Sequence, residues 1–398
     1  PVHPMLLDLL LGRYSASHNY QNTRGVLYLL SSVLRKIYED MDLVVASDID
    51  MEEEDLLELG RVFVENCKRD VEKLGSQLDR RVLNTILLHS FSNDGGGGAQ
   101  RNDVVLGVLR PEINVNDIDN ILSELLNRAP HVRMIDSRYV ISREPNILVV
   151  IQGEAEQAVK EGKIQKALEV IREKLKRDKS FYVYYPNKDY GEEIPDDDKL
   201  KVIVSFKPLT SNELKEFFEG KEYRNRLILI TPKNSVDLTQ VDDTLIVAQR
   251  LSLYDEKRKE VSEDNRRLIN ESERKDDRFL RDKLTEAYGI WIKVLEAKDG
   301  EIKYRPITCS LADLRSKVKA SYDLESIKDE VLKSLGGERE GKLIEDLVYD
   351  FDTILGKPIL VDPNVLYNAI NSLYNDKRTV VEYGRQTYDG SKSLPSLR

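Results

Sequence analysis

The stretch "KVIVSFKPLTSNELKEFFEGKEYRNRLILIT", residues 201–231, passes from a strand pattern through a helix pattern to a second strand pattern. Its two strand-like runs, 201–206 and 226–231, are almost continuously apolar, and an amphipathic helical segment separates them. Apolar strands that alternate with helices are typical of a domain whose sheet is covered on both faces. We therefore predict an α/β domain with a mostly buried sheet.

The same pattern extends toward the N-terminus, so the predicted α/β domain covers residues 146–250. Further strand-like runs occur at 146–151 and 181–185, with a helical segment at 154–176 between them. The acidic stretch 186–199 interrupts the pattern and is predicted to be a surface loop.

Two segments follow the predicted sheet domain. Residues 251–291 mix charges of both signs with sparse apolar residues, which predicts one long charged helix, a solvated arm or an antiparallel helical protrusion. Residues 292–398 are predicted to form a small C-terminal mixed module that contains a helix followed by a strand. A degenerate winged helix is one interpretation of this module.

The N-terminal part reads as helices over residues 1–77, where Pro4 is a suitable first helical residue. Residues 78–145 then form a separate pattern of three short helices followed by a β-hairpin. For the third helix of this pattern, Asn116 or Asp117 is the predicted N-cap. Three helices and a hairpin in this order predict a winged-helix domain.

Length and composition limit the classes of function. A chain of 398 residues predicts two or three domains. Charged residues make up 33% of the chain, with 31 Lys, 30 Arg, 36 Asp and 35 Glu, and a high content of charged residues is typical of proteins from thermophilic organisms. Because the net charge is −10, contact with nucleic acid requires a local basic patch. The chain lacks an apolar run of 18 residues, which predicts a cytoplasmic protein without a membrane partner. It begins with Pro1, which we interpret as a fragment of a longer protein.

Several motif matches are better explained as surface structure. The sequence from Gly336 to Lys342 spells G-x-x-x-x-G-K, but Leu343 follows where a phosphate-binding loop needs a hydroxyl for magnesium. The run Gly95–Gly98 is interpreted as a connector, and Asp196–Lys199 as a solvated loop that lacks the second carboxylate of a metal-dependent nuclease. The four histidines and two cysteines show no metal-ligand spacing, so no metal site is predicted.

The predicted winged helix has an unfavourable charge for DNA. Residues 79–145 contain eight arginines and no lysine against nine acidic residues, whereas phosphate contacts dominate affinity for DNA. Arg133, Arg138 and Arg143, in and beside the hairpin, are the candidate DNA-binding residues. Contact with DNA and a role in docking or spacing proteins both remain open.

Arg24 is the candidate site residue of the N-terminal segment. It stands where a helix begins, although the helix dipole favours acidic residues at that end. Gly25 beside it removes side-chain bulk and allows another surface to approach. The alternative is an ordinary surface arginine with little effect on stability.

The order of several motifs resembles a family of large predicted AAA+ ATPases that was long catalogued as a domain of unknown function. The motif Tyr20–Gly25, "YQNTRG", is similar to the Phe-Gln-Arg-Thr-Arg-Gly-like motif of the lid and departs from it at Tyr20 and Asn22. The segment 83–147 resembles the family's winged-helix region, and 223–232 resembles its Arg-Asn-strand motif. The resemblance covers most of residues 3–290.

This resemblance implies that residues 1–77 are the helical lid of an AAA+ module and that Arg24 is similar to the lid arginine called sensor 2. Such an arginine reaches the γ-phosphate of ATP and is the implied catalytic and cofactor-binding residue. ATP and Mg²⁺ would then be cofactors of the full-length protein, held by a P-loop module upstream of Pro1. The fragment would bind neither firmly and would not hydrolyse ATP alone.

The family also implies a biological setting. Similar ATPases are encoded in anti-phage islands of the BREX type and in phosphorothioation-linked systems, so antiviral defence proteins and double-stranded DNA are the implied partners. The expected function is the lid and accessory half of a DNA-directed AAA+ ATPase. A protein-interaction scaffold without enzymatic activity is the main alternative, and a nuclease or other enzyme in the α/β domain is a third.

Overall fold

The structure is a computed structural model of a mixed α/β protein. It describes residues 1–14, 23–37, 42–91, 97–186, 190–233, 236–298, 301–335, 341–383 and 386–388. The chain divides into two compact units. Unit 1 comprises residues 1–157 and 253–273, and unit 2 comprises residues 158–252 and 274–398.

The first part of the chain is helical, with one β-hairpin and two short turns of other helical types. These turns are a π-helical turn at Leu10–Tyr14 and a 3₁₀ turn at Ala46–Asp48. The regular elements are α1 Pro4–Leu9, α2 Thr23–Ile37, α3 Glu54–Leu74, α4 Gln77–Ser90, α5 Arg101–Val108, α6 Val115–Arg128, β1 Val132–Ile135, β2 Arg138–Ile141 and α7 Ile147–Lys160.

Local caps fix where several of these helices begin. Pro4 is the first residue of α1, and the His3 ring accepts a hydrogen bond from the Met5 backbone amide, as expected for a helix with proline at its start. The N-cap of α6 is Asn114, whose side-chain oxygen accepts from the Asn116 backbone amide at 2.9 Å. The predicted cap at Asn116 or Asp117 is therefore wrong, because the Asn two residues earlier already satisfies the first free amide.

One hydrophobic core runs through both predicted N-terminal domains. The same buried cluster contains Leu6 and Leu29 from the first 77 residues and Leu83, Leu122 and Ile141 from the following segment. The core therefore continues across the predicted boundary at residue 77.

The hairpin of unit 1 has a two-residue turn and receives one additional backbone pairing. Asp136 and Ser137 both have positive φ, at 47° and 61°, which suits the right-handed twist of a tight hairpin. Ala99, in the connection between α4 and α5, forms an antiparallel bridge with Tyr139 of β2. The hairpin is thereby joined to the connection between the first two of the three helices.

The remaining elements include a five-stranded sheet, several helices and a short terminal hairpin. A 3₁₀ turn, Arg224–Arg226, precedes the third strand of the sheet. The regular elements are α8 Gln165–Leu175, β3 Phe181–Tyr184, β4 Lys201–Ser205, α9 Ser211–Phe218, β5 Leu227–Pro232, α10 Asp242–Lys257, α11 Glu263–Ala287, β6 Tyr288–Lys298, β7 Glu301–Thr308, α12 Leu314–Ala320, α13 Leu324–Ser334, α14 Ile344–Thr353, α15 Asn364–Asn375, β8 Val381–Tyr383 and β9 Gln386–Tyr388.

The sheet has the strand order β3-β4-β5-β6-β7, with β3, β4 and β5 parallel and the last two strands antiparallel. Every residue of β4 and β5 is buried, as the apolar runs predicted. Side chains such as Val202 and Trp291 enter a core on one face, and Ile203 and Phe217 enter a core on the other. The predicted mixed α/β architecture is confirmed, but complete burial is limited to β4 and β5, since β7 alternates between exposed and half-buried residues.

Residues 146–151 were expected to be a strand and are instead the start of α7. A short apolar run does not distinguish a strand from a buried helix. Here Asn146 accepts a hydrogen bond from the Leu148 backbone amide through its side chain, and Ile147 and Ile151 are buried one turn apart. The helical sequence that follows then continues the first turn.

The prediction of one helix over residues 251–291 is also wrong. The chain leaves α10 after Lys257, begins α11 at Glu263 and enters β6 at Tyr288. Glu263 and Asp264 in the first turn of α11 favour a new helix start through the helix dipole. β6 and β7 complete the sheet, so the sheet extends beyond the predicted limit at residue 250.

The last part of the chain has a small core of its own. Ile327, Phe351 and Leu373, from α13, α14 and α15, belong to one buried cluster, and Val381 of β8 joins it. The predicted helix followed by a strand corresponds to α15 and β8. No helix among the described residues has both the length and the apolar character needed to span a membrane.

Candidate functional site

Arg24 lies in the first turn of α2, and its side chain is exposed. Within the described part of the chain, no carboxylate lies within ion-pairing distance of its guanidinium, and the first turn of α2 contains no acidic residue. An exposed guanidinium at this place is available to an anion from outside unit 1. Tyr20, Gln21 and Asn22 of the quoted motif fall outside the described residues.

Two large apolar side chains are exposed next to Arg24. Leu27 and Tyr28 are 63% and 66% exposed, and they follow Arg24 by three and four positions, so they share its helix face. Ser31 and Arg35 continue this face, and we call these five residues the α2 outer face. The opposite side of α2 enters the core through residues that include Val26, Leu29, Leu30 and Val33.

The α2 outer face combines cations with apolar area, which suits contact with another molecule or module. Sequence reasoning found Arg24 but missed Leu27 and Tyr28. Their positions in the helical period could have identified them. Leu29 and Leu30 already belong to the buried stripe of α2, so Leu27 and Tyr28 fall outside it.

The three hairpin arginines are each engaged within unit 1. Arg133 donates to the backbone carbonyls of Glu144 and Pro145 at 3.2 and 3.4 Å. Arg138 donates to the Gly98 carbonyl at 3.3 Å. Arg143 is exposed, and its guanidinium carbon lies 5.4 Å from the centre of the Phe63 ring. These contacts hold the hairpin to its surroundings, so two of the three candidate DNA-binding residues already serve as donors inside the protein.

Helix α6, the third helix of the pattern, presents acids with paired cations. Arg101 binds both carboxylate oxygens of Asp119 at 2.6 Å, and this hydrogen bond lowers the pKa of the Asp119 carboxyl. Arg128 pairs with Glu124 at 2.8 Å, and Asp117 is exposed in the first turn. This surface repels a phosphate backbone rather than attracting it.

The hairpin tip next to α6 is apolar. Met134 and Ile135 are 47% and 56% exposed, directly before the turn at Asp136 and Ser137. Exposed apolar side chains at a loop tip are typical of contact with another protein.

The remaining motif matches have structural explanations where they are described. Gly95, Gly96 and residues 336–340 fall outside the described residues, and Lys342 pairs with Asp350 at 2.5 Å. Asp196 accepts hydrogen bonds from the backbone amides of Glu222 and Tyr223, and Asp197 pairs with the buried Lys201. The interpretation as a solvated loop is therefore incomplete, because these carboxylates hold the loop to its neighbours.

His131 pairs with a buried carboxylate. Its Nδ1 lies 2.9 Å from an oxygen of Asp70, whose second oxygen accepts from the His131 backbone amide, and both residues are buried. Asn66, one turn earlier on α3, donates to the carbonyls of Ser142 and Arg143. These contacts fasten α3 to the base of the hairpin.

Among the described residues, no group of three or more His, Cys, Asp or Glu side chains is arranged to hold a metal ion. Comparison of the chain with known protein families, with curated proteins and with solved structures gave no match.

Proposed function

We propose that this chain is the lid and accessory half of a DNA-directed AAA+ ATPase of host defence, in which Arg24 contacts ATP held by an adjoining P-loop module. The observation that carries the proposal is the exposed Arg24, without an acidic partner among the described residues, on a face with two exposed apolar side chains. Leu27 and Tyr28 supply apolar contact area for the adjoining module. Arg24 supplies the cation that stabilises charge on the γ-phosphate during transfer, with Mg²⁺ held by that module.

The architecture of unit 1 supports the lid and winged-helix assignments. Helices α4, α5 and α6 are followed by the β1–β2 hairpin, and the Ala99–Tyr139 bridge supplies the short first strand between the first two helices. The shared core of α2 and α4 supports a coupling between the proposed lid and the proposed winged helix. In unit 2, α13 to α15 followed by the β8–β9 hairpin have the order of a second winged helix.

The test uses the full-length ATPase with Arg24→Ala, Arg24→Lys and, as a control, Arg61→Ala, which removes an exposed arginine of α3 outside the α2 outer face. Arg24→Ala is expected to lower ATP turnover at least tenfold, equivalent to about 1.4 kcal/mol of transition-state stabilisation. Arg24→Lys should retain part of the activity, whereas Arg61→Ala should leave it unchanged. Equal turnover for Arg24→Ala and the unmodified protein would remove the proposed role.

An interaction scaffold is the second candidate, and the acidic α6 surface with the apolar hairpin tip favours it. On this proposal, Met134 and Ile135 dock a partner protein, and nucleotide plays no part. The double variant Met134→Ser and Ile135→Ser would then abolish partner capture while ATP turnover of the full-length protein is unchanged.

A further inference from the structure

A strip of cations crosses one part of unit 2, around helix α12. At one end, Arg315 of α12 donates to the Asp178 carboxylate at 3.3 Å and contacts the Ser180 hydroxyl. Its guanidinium carbon also lies 5.7 Å from the centre of the Phe181 ring. The loop 176–180 therefore lies directly beside α12, and its Arg177 and Lys179 are exposed.

The other end of the strip is formed by the β6–β7 pair. Lys293 donates to the carbonyl of Ser321, the residue that ends α12, and its ammonium lies 4.1 Å from the centre of the Tyr322 ring. Arg305 stands directly opposite Lys293 in the antiparallel register. Lys317 and Lys319 are exposed on α12 between the two ends. The α12 basic strip consists of Arg177, Lys179, Lys293, Arg305, Arg315, Lys317 and Lys319.

Most cations of the strip have no acidic partner in the part of the chain that the structure describes. Within these ranges, Arg315 is the member of the strip that has a carboxylate within 4.0 Å. By contrast, Lys303, on the same hairpin as Arg305, pairs across the strands with Glu296 at 3.1 Å. Burial, and then the neighbouring Arg305, lower the pKa of Lys293. Like charges directly opposite in a sheet are unfavourable, so an anion bound beside Lys293 and Arg305 would reduce their repulsion.

The net charge of this region is opposite in sign to that of the whole chain. Segments 176–180 and 313–321, with Lys293 and Arg305, contain eight basic and two acidic residues in a protein whose net charge is −10. Helix α12 alone is about 10 Å long at 1.5 Å per residue, and duplex DNA carries a phosphate about every 3.4 Å along each strand. Several successive phosphates can therefore face the strip at once.

The aromatic residues of the strip distinguish between kinds of anionic partner. Phe181 is buried, and Lys293 covers Tyr322, so neither ring is open to stack on an unpaired base. Segments 176–180 and 313–321 also contribute none of the exposed large apolar side chains of the described residues, which a membrane-inserting surface requires. A rigid polyanion with phosphates on its outside fits these properties.

We propose that the α12 basic strip binds the phosphate backbone of duplex DNA, an inference that rests on the DNA-directed function proposed above. On this proposal, the DNA contact is made by the strip and not by the hairpin arginines Arg133 and Arg138, which donate to carbonyls of their own unit. Binding through phosphates alone carries little sequence preference and depends strongly on salt.

The test measures fluorescence polarisation of a labelled duplex with the 398-residue chain over a range of NaCl concentrations. Lys317→Gln with Lys319→Gln is expected to weaken binding about tenfold at low salt and to reduce the slope of log K against log salt by about two. The control pair, Lys199→Gln with Lys215→Gln, removes the same charge from exposed positions outside the strip and should have no such effect. Unchanged fluorescence of Trp291, buried in the unit 2 core, verifies folding of each variant.

Three outcomes overturn the proposal: absence of salt-dependent duplex binding, equal weakening by the control pair, or capture by phosphatidylserine vesicles in place of duplex.

The ATPase role of Arg24 and the DNA contact of the strip can be rejected independently of each other. If Arg24→Ala leaves turnover of the full-length protein unchanged while the strip still binds duplex, the nucleotide role alone is rejected. If Arg24→Ala lowers turnover while the Lys317–Lys319 variant binds duplex normally, the strip alone is rejected.

Discussion

The side-chain amide of Asn225 donates to the backbone carbonyl of Phe351 at 2.7 Å and also lies within 3.2 Å of the Lys357 carbonyl. Asn225 stands immediately before β5 and is buried, while Phe351 is in α14. Arg226, the next residue, donates to the carbonyls of Asp198 and Leu360. The Arg-Asn motif before this strand therefore fastens the C-terminal helices to the sheet.

We expect Asn225→Asp to destabilise unit 2 by about 2–4 kcal/mol, because a carboxylate places an acceptor opposite two buried carbonyls. Urea unfolding followed by Trp291 fluorescence measures the change, since the single tryptophan lies in the unit 2 core. Asn368→Asp, at an exposed position on α15, is the matched control and should change stability by less than about 0.5 kcal/mol. A similar small effect at Asn225 would contradict the fastening role.

Asp197 and Lys201 give unit 2 a defined response to acid. Lys201 is buried, and its ammonium pairs with Asp197 and donates to the carbonyls of Asp197 and Lys199. The hydrogen bond from Lys201 lowers the pKa of the Asp197 carboxyl below its ordinary value of 3.8. A carboxyl group whose pKa is lower in the folded state than in the unfolded state stabilises the fold at pH values above its unfolded pKa. This contribution to stability is lost as the pH falls through the folded pKa.

Asp197→Asn is therefore expected to cost about 1–2 kcal/mol at neutral pH, at the low end because the Asp197 side chain is 40% exposed to solvent. The difference in free energy of unfolding between the two proteins should shrink progressively below about pH 4. Urea titrations at several pH values measure it. A constant difference between neutral and acidic pH would show that the carboxylate charge is not the cause.

The sequence predicted strands β3, β4 and β5, but it missed β6, β7 and the helical pattern of α11. β4 and β5 are buried on both faces, so their apolar runs are continuous and unambiguous. The buried stripe of α11 instead contains Asn265, Ile269, Asp276 and Leu280, whereas the apolar side chain of Leu268 is exposed. Two polar residues in the stripe conceal its helical period, because hydrogen bonds and ion pairs to other elements compensate their burial.

The residues of the candidate site also differ in how far the sequence could predict their surroundings. The place of Arg24 at a helix start follows from local sequence, so its position could be predicted. The hydrogen bonds of Arg133 and Arg138 go to carbonyls 11 and 40 positions away, and only the folded hairpin brings these groups together. The α12 basic strip was missed because loop 176–180 and Arg315 are separated by more than 130 residues of sequence.

Gly356 lies against a β-bulge in β6, and an added side chain has no room there. Its φ is +96°, and a Cβ atom would lie 2.7 Å from the Leu295 carbonyl oxygen, next to the register shift between Val294 and Glu296. We expect Gly356→Ala to cost about 2–4 kcal/mol through strain and contact with rigid backbone. Gly220→Ala is the control, since its φ is +73° but its Cβ would meet open space, and it should cost only about 1 kcal/mol. If Gly356→Ala and Gly220→Ala lower the free energy of unfolding equally, as followed by Trp291 fluorescence, the backbone at Leu295 moves aside for the added Cβ atom at no cost.

Asp48 is the buried acid on which the core of unit 1 depends. Its carboxylate accepts from the Val45 backbone amide at 2.8 Å and pairs with Arg81 at 3.3 Å and with Arg110. Replacing this carboxylate with a neutral group removes the charge that balances the cations of Arg81 and Arg110, which costs more than the ion pairs contribute. We expect Asp48→Asn to destabilise unit 1 by about 2–4 kcal/mol.

Hydrogen exchange of the α4 and α5 backbone amides measures this change, because Trp291 lies in unit 2 and does not report on it. Asp50→Asn is the control, since the Asp50 ion pair with Arg80 at 3.2 Å is exposed, and it should cost less than about 0.5 kcal/mol. Combining Asp48→Asn with Arg110→Met removes one of the two cations as well, so the double variant should be more stable than Asp48→Asn alone. If the loss of unfolding free energy in the double variant equals the sum of the losses in Asp48→Asn and Arg110→Met, Asp48 acts through the Val45 amide rather than through Arg110.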